Sequence, residues 1–171
     1  MKALFTVFMS IILMLTGCNG EDRIQDTAPQ YTGNTVVSGN AQEFVEGMGM
    51  GWNLGNTLDP VDCTWVSDEL DYETAWGNKR TTKELISFVK SQGFDTIRVP
   101  VTWTNHVSEA PDYIISEAWI ARVQEIIDWC VEEDMYIILN IHHEGGWIEK
   151  ASTDYSGVME KYRAIWTQIA D

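Results

Sequence analysis

Short unbroken apolar runs alternate along this chain with stretches whose apolar residues recur every three or four positions. The first run lies in "GMGMGWNLG", Gly47 to Gly55, and predicts a buried strand. A long loop follows to Lys79. In "TTKELISFVKSQG", Leu85, Ile86, Phe88 and Val89 form one helical face. Thr81 with Glu84 reads as a capping box, and Gly93 suits a left-handed helix end. "FDTIRVPVTW" predicts a short strand over Thr96–Val99, ended by Pro100. A helix is expected from Ser116 to Glu133, with Trp119, Ile120, Val123, Ile126, Ile127, Cys130 and Val131 at helical spacing. "MYIILNI" predicts a third strand. From Ser156 onward, Val158, Tyr162, Ile165, Trp166 and Ile169 share the face of a last helix.

Strand and helix thus alternate three times, which implies parallel strands joined by right-handed crossovers. The strands look apolar on both faces, as a helix-covered parallel sheet requires. Two α/β architectures fit, a doubly wound sheet and a (β/α)8 barrel. The glycines of "GMGMGW" do not form a G-x-G-x-x-G turn opening a helix, so the dinucleotide fingerprint is missing. The polar residues favour the barrel. Asn53 and Asn56 follow the first strand, Arg98 ends the second, and Asn140, His142 and His143 end the third. A barrel builds its active site from such strand ends.

The N-terminus has a different character. Lys2 precedes an apolar run from Ala3 to Leu15, too short to span a bilayer and suited to a signal peptide. It closes on Leu15-Thr16-Gly17-Cys18, which resembles a bacterial lipoprotein signal with Cys18 as the lipidated residue. Residues 1–18 are therefore expected to be a lipoprotein-type signal, 19–42 a flexible polar tether and 43–171 the folded domain. The expected location is exported, lipid-anchored to a bacterial membrane without a transmembrane helix, and otherwise secreted. Glu21 and Asp22 after Cys18 resemble a surface-export tag.

The net charge of −15 argues against nucleic acid and anionic membrane surfaces as partners held by charge. Cys63 falls in a loop and Cys130 on an apolar helix face. Nothing brings the two together, so both are read as unpaired, and no zinc-type spacing occurs.

The chemistry concentrates in "NIHHE", Asn140 to Glu144. Adjacent histidines on a strand point to opposite sides, a poor arrangement for one metal ion, and H-E-x-x-H is absent. Four motifs stand in order: "GWNLGNTLD" (51–59), "ETAWGN" (73–78), "GFDTIRVPVTW" (93–103) and "NIHHE" (140–144). Together they resemble glycoside hydrolase family 5, retaining β-glycanases of the cellulase type. The first two look most like its endo-β-1,4-glucanase and xyloglucanase branches.

The resemblance implies a (β/α)8 barrel of which this chain holds about the first three βα units. It implies no metal or organic cofactor, and a β-1,4-glucan substrate such as cellulose, xyloglucan or mixed-linkage glucan. Arg98 matches the arginine that contacts the nucleophilic glutamate, and His142 the first strand-three histidine near the reacting sugar. His143, Asn56 and Asp59 match substrate-contacting positions; for Asn56 and Asp59 plain turn chemistry is the competing reading. Trp76, Trp103 and Trp147 are candidate sugar platforms, because an indole face stacks on the apolar face of a sugar. Glu144 is expected to be a supporting carboxylate and not the general acid. The family's two catalytic glutamates lie at the ends of strands four and seven, the first within Asn-Glu-Pro, and that tripeptide does not occur here. The expectation is thus the N-terminal part of such a barrel, truncated and inactive alone. The alternative is a non-catalytic carbohydrate-binding lipoprotein derived from one.

Overall fold

A computed structural model describes residues 40–171. The expected signal peptide, Cys18 and most of the tether lie outside the described residues. Helix α1 (Ala41–Gly47) starts inside the stretch read as tether. Asn40 and Glu43 cap it reciprocally, a pair that periodicity alone did not reveal. Among the described residues no helix is long and apolar enough to cross a membrane.

Strands β1 (Gly51–Asn53), β2 (Thr96–Val101) and β3 (Tyr136–Ile141) form one parallel sheet in that order. Asn53 lies opposite Arg98, and Arg98 opposite Ile138. Helices α2 (Lys83–Ser91), α3 (Glu117–Glu132) and α4 (Tyr155–Ala170) follow the three strands in turn. The core joins Ile86 and Val89 of α2 to Ile97, Val99 and Val101 of β2. The same cluster takes in Trp119, Val123, Ile126, Ile127 and Cys130 of α3, with Ile165 of α4.

Several expectations need correction. Burial on both strand faces holds for β2 but not for β1, where Gly51 and Asn53 are exposed. β1 is a sheet edge among the described residues. Pro100 does not end β2, which continues to Val101. On the β1 side, Leu54 N–H bonds the Arg98 carbonyl and Thr102 N–H bonds the Leu58 carbonyl. By the alternation of a parallel ladder, Pro100 would point its N–H to that same side, into the gap past Asn53, where no donor is needed.

The cap of α2 is Thr82, not Thr81: Thr82 Oγ1 accepts from Leu85 N–H. Thr81 is buried, with its N–H committed to Glu73 Oε1 at 2.6 Å. Phe88, expected on the buried face of α2, is exposed. Cys63 and Cys130 are both free, as read from the sequence, and Cys63, read only as a loop thiol, is buried like Cys130. Burial pushes the Cys130 thiol up to about 12.

Candidate active-site rim

Asn53 ends β1 and lies opposite Arg98, and His142 directly follows β3. Arg98 does not end its strand as expected but stands in mid-β2, and its long side chain reaches both neighbours. The Arg98 guanidinium donates from Nη1 to Asn53 Oδ1 at 2.6 Å and from Nη2 to His142 Nδ1 at 3.2 Å. Arginine has only donors, so Nδ1 must be the acceptor and the imidazole proton sits on Nε2. That nitrogen lies 3.8 Å from Asp59 Oδ2. Burial first, then the positive neighbours His143 and Arg98, lowers the His142 pKa and favours the neutral ring.

His142 and His143 do not diverge as strand neighbours would. β3 ends at Ile141, and in the irregular backbone beyond it the two rings sit 4.2 Å apart, tilted by 54°. His143 N–H donates to Thr102 Oγ1 at 3.3 Å, and its ring meets the edge of Trp76 at 5.6 Å. Trp76 is 36% exposed, open enough to take a sugar.

Asp59, His142 and His143 bring one donor atom each within 4.8 Å of one another, close enough in distance for a divalent ion. The donor chemistry does not fit one. His142 Nε2 carries the proton that Arg98 forces off Nδ1 and so offers no lone pair, and the guanidinium adds a like charge alongside.

Asp59 is 3% exposed, with Oδ1 accepting from Thr57 N–H at 2.8 Å. It shapes the turn after β1 and faces His142 from beneath. Asn56 is exposed, with φ 57° in the left-handed region that Asn tolerates.

Of the other two candidate platforms, Trp103 is closed and Trp147 is half-buried. Trp103 is fully buried, its backbone N–H held by Glu144 Oε1 at 2.8 Å and its indole N–H directed at the Asn140 carbonyl. Trp147 donates its indole N–H to Glu144 Oε2 at 2.9 Å, and the Lys161 ammonium lies 4.8 Å from its ring centre. Glu144 is therefore the support expected of it. It ties the segment after β3 to the end of β2, and burial raises its pKa against the hydrogen bonds that lower it.

Two residues of "ETAWGN" carry roles that sequence reasoning missed. Asn78 donates to the Gly55 carbonyl at 2.8 Å and to Thr57 Oγ1 at 3.1 Å, fastening the Trp76 loop to the turn after β1. Glu73 is fully buried and takes two hydrogen bonds from Arg122 of α3, at 2.9 and 2.8 Å. A signal existed: Arg122 sits between Trp119 and Ile126 on the buried side of α3, and a buried guanidinium needs an anion.

Residues 61–171 match the profile of the cellulase family, glycosyl hydrolase family 5. The chain belongs to glycoside hydrolase family 5. It is 46% identical over 132 residues to endoglucanase A of Ruminococcus albus, covering 77% of this chain and 35% of that protein. With endoglucanase A of Clostridium longisporum the identity is 42% over 134 residues, 77% of this chain and 26% of the relative. The chain thus spans about a quarter to a third of the length of these curated relatives.

Among solved structures, the GH5-4 broad specificity endoglucanase of Ruminococcus champanellensis with bound cellotriose is 46% identical. Its TM-score is 0.72, over 76% of this chain and 38% of that one. A family 5 lichenase mutant from Caldicellulosiruptor sp. F32, in complex with cellotetraose, is 43% identical with a TM-score of 0.72, over 77% and 36% of the two chains. The family fold is the (β/α)8 barrel, and the three parallel strands with their helices form its N-terminal part.

Proposed function

We propose that these residues form the sugar-gripping side of a retaining endo-β-1,4-glucanase site. The observation that carries the reading is the Asn53–Arg98–His142 set across three adjacent strands, continued outward by His143 and Trp76. Relatives named as endoglucanases, and similar structures holding cello-oligosaccharides, support a β-1,4-glucan substrate.

Retaining hydrolysis needs two carboxyl groups about 5–5.5 Å apart, one as nucleophile and one as acid/base. Arg98 is placed to keep a neighbouring carboxylate ionised and oriented. His142, neutral and fixed as the Nε2–H tautomer, donates toward Asp59 or a sugar hydroxyl. His143 and Trp76 grip the ring. Asp59 and Glu144 are both buried and committed to backbone donors, so neither supplies the acid or the nucleophile. No Asn-Glu-Pro occurs in the chain.

The test is binding and hydrolysis by the purified chain. Saturable binding of cellotetraose, lost in His143→Ala, is expected, without release of reducing sugar from soluble cellulose or xyloglucan. Hydrolysis by the pure chain overturns the claim that the reacting carboxylates are missing, and failure to bind overturns the substrate class. Cooperative folding with binding, in a host where a glucanase role is absent, turns the reading toward the non-catalytic carbohydrate-binding lipoprotein.

The same reading includes export and a lipid anchor at Cys18, supported by the apolar run before it. Radiolabelled fatty acid incorporated into the protein, and lost in Cys18→Ser, is the expected result.

A further inference from the structure

The loop after Asp59 takes no part in the rim just described, yet it is firmly built. Asp62 is held in the left-handed region at φ 55°. Cys63 is fully buried, with its thiol directed at the Val61 carbonyl; burial raises the thiol pKa, and the neighbouring Trp76 indole works the other way. Val66 N–H bonds the Cys63 carbonyl at 2.9 Å and closes a turn with Thr64 and Trp65 at its tip. Trp65 is 68% exposed, more than any other large apolar side chain among the described residues.

A lone exposed apolar residue is ordinary. What distinguishes Trp65 is its mounting. The buried root of its turn, Cys63, neighbours the indole of Trp76 on the rim, and the loop begins just after Asp59, which faces His142. A rigid indole on an anchored turn loses little conformational freedom when it stacks, which suits binding.

We propose that Trp65 is an outer sugar platform, stacking on a glucosyl unit of a β-1,4-glucan chain that extends outward past Trp76 and His143. The inference rests on the glucan-binding reading above and adds a subsite that selects longer chains. An indole face accepts the apolar face of a pyranose, and its N–H can meet a hydroxyl. A ligand that ends at the rim does not reach it.

The test is calorimetric titration of the chain with cellotriose and cellohexaose, using the unsubstituted protein, Trp65→Ala and Trp65→Phe. The expected result is tighter binding of cellohexaose than of cellotriose. Trp65→Ala then weakens cellohexaose about tenfold, roughly 1.4 kcal/mol, leaves cellotriose unchanged, and Trp65→Phe retains most of the difference. Equal cellohexaose affinity in Trp65→Ala, or an equal loss for both sugars, overturns the platform while leaving the rim intact. If the unsubstituted chain binds neither sugar, the glucan reading itself falls and the platform with it. The Trp65 indole N–H resonance of the unsubstituted chain supplies a readout that needs no variant. It should shift with cellohexaose and not with cellotriose, and the reverse overturns the proposal.

Discussion

Arg98 and His142 are joined by a hydrogen bond in which the guanidinium Nη2 donates to the imidazole Nδ1 across 3.2 Å. This contact does three things at once. It fixes the ring tautomer, holds the ring over Asp59, and sets a permanent positive charge beside a group that would otherwise titrate near neutrality. Arg98→Ala should therefore raise the His142 pKa, but only part of the way to 6.5, because burial is the largest cause of its depression and persists. Heteronuclear NMR of the imidazole should also show the Nε2–H tautomer giving way to a mixture. An unchanged tautomer and pKa would mean the arginine does not control the ring.

The Glu73–Arg122 pair should dominate the stability of the loop that carries Trp76. Glu73 is fully buried, and its Oε1 accepts from both Arg122 and Thr81 N–H. Arg122 also donates to the Thr81 carbonyl at 2.7 Å, so four groups are mutually satisfied. Removing one partner of a buried pair costs about 3–5 kcal/mol, and the lower end applies to Arg122, because Arg80 Nε still lies 3.9 Å from Glu73 Oε2. Arg122→Met is expected to lower the unfolding free energy measured in urea by about 3 kcal/mol. Glu73→Leu with Arg122→Met should recover a good part of it, since well-packed apolar replacements of a buried pair are often neutral. A single variant as stable as the parent would show the pair to be incidental.

What the sequence disclosed follows from what its signals encode. The α3 face from Trp119 to Cys130 was legible because helical spacing reports burial directly. His142 and His143 were legible because strand ends gather at one rim, whereas Arg98 stands in mid-β2 and joins them through the length of its side chain. The Glu73–Arg122 pair was not, since no local period links residues 49 positions apart. Trp103 was misjudged for a related reason. A tryptophan two residues past a strand can face in or out, and only Glu144, reaching its N–H from 41 positions along the chain, fixes it inward. The convergence of His142 and His143 depended on where β3 stops, which residue type alone does not set.

Trp103 and Trp76 should separate cleanly under substitution. Trp103 fills the core with no exposure, so Trp103→Ala should cost about 3–5 kcal/mol of stability through the cavity it leaves. Trp76 is partly exposed on the rim, and Trp76→Ala should leave most of the stability in place while weakening cello-oligosaccharide binding. Thermal unfolding and sugar titration, run on both variants, check the contrast. If Trp76→Ala destabilises as much as Trp103→Ala, its part in the rim is packing.

His106 gives the fold an acid-sensitive point away from the rim. Its ring is buried, stacks on Trp119 with centroids 3.7 Å apart, and meets the edge of Tyr72. Nδ1 lies 2.8 Å from Glu69 Oε1, and Ser116 Oγ donates to the other oxygen of that carboxylate at 2.5 Å. Nε2 is buried without a partner, so protonation would strand a donor in the core. Burial accordingly depresses the His106 pKa, although Glu69 works the other way. The unfolded chain binds a proton near pH 6.5 and the folded ring resists it. His106 therefore contributes stability that is complete above 6.5 and is lost as pH falls through the folded value. Glu144, with its raised pKa, has the opposite sign: its contribution is complete below the unfolded carboxylate value and is lost as pH rises through the folded one. His106→Gln keeps a donor for Glu69 and cannot titrate. Urea unfolding from pH 7.5 downward should show a shallower acid loss in that variant than in the parent, and parallel curves would place the sensitivity elsewhere.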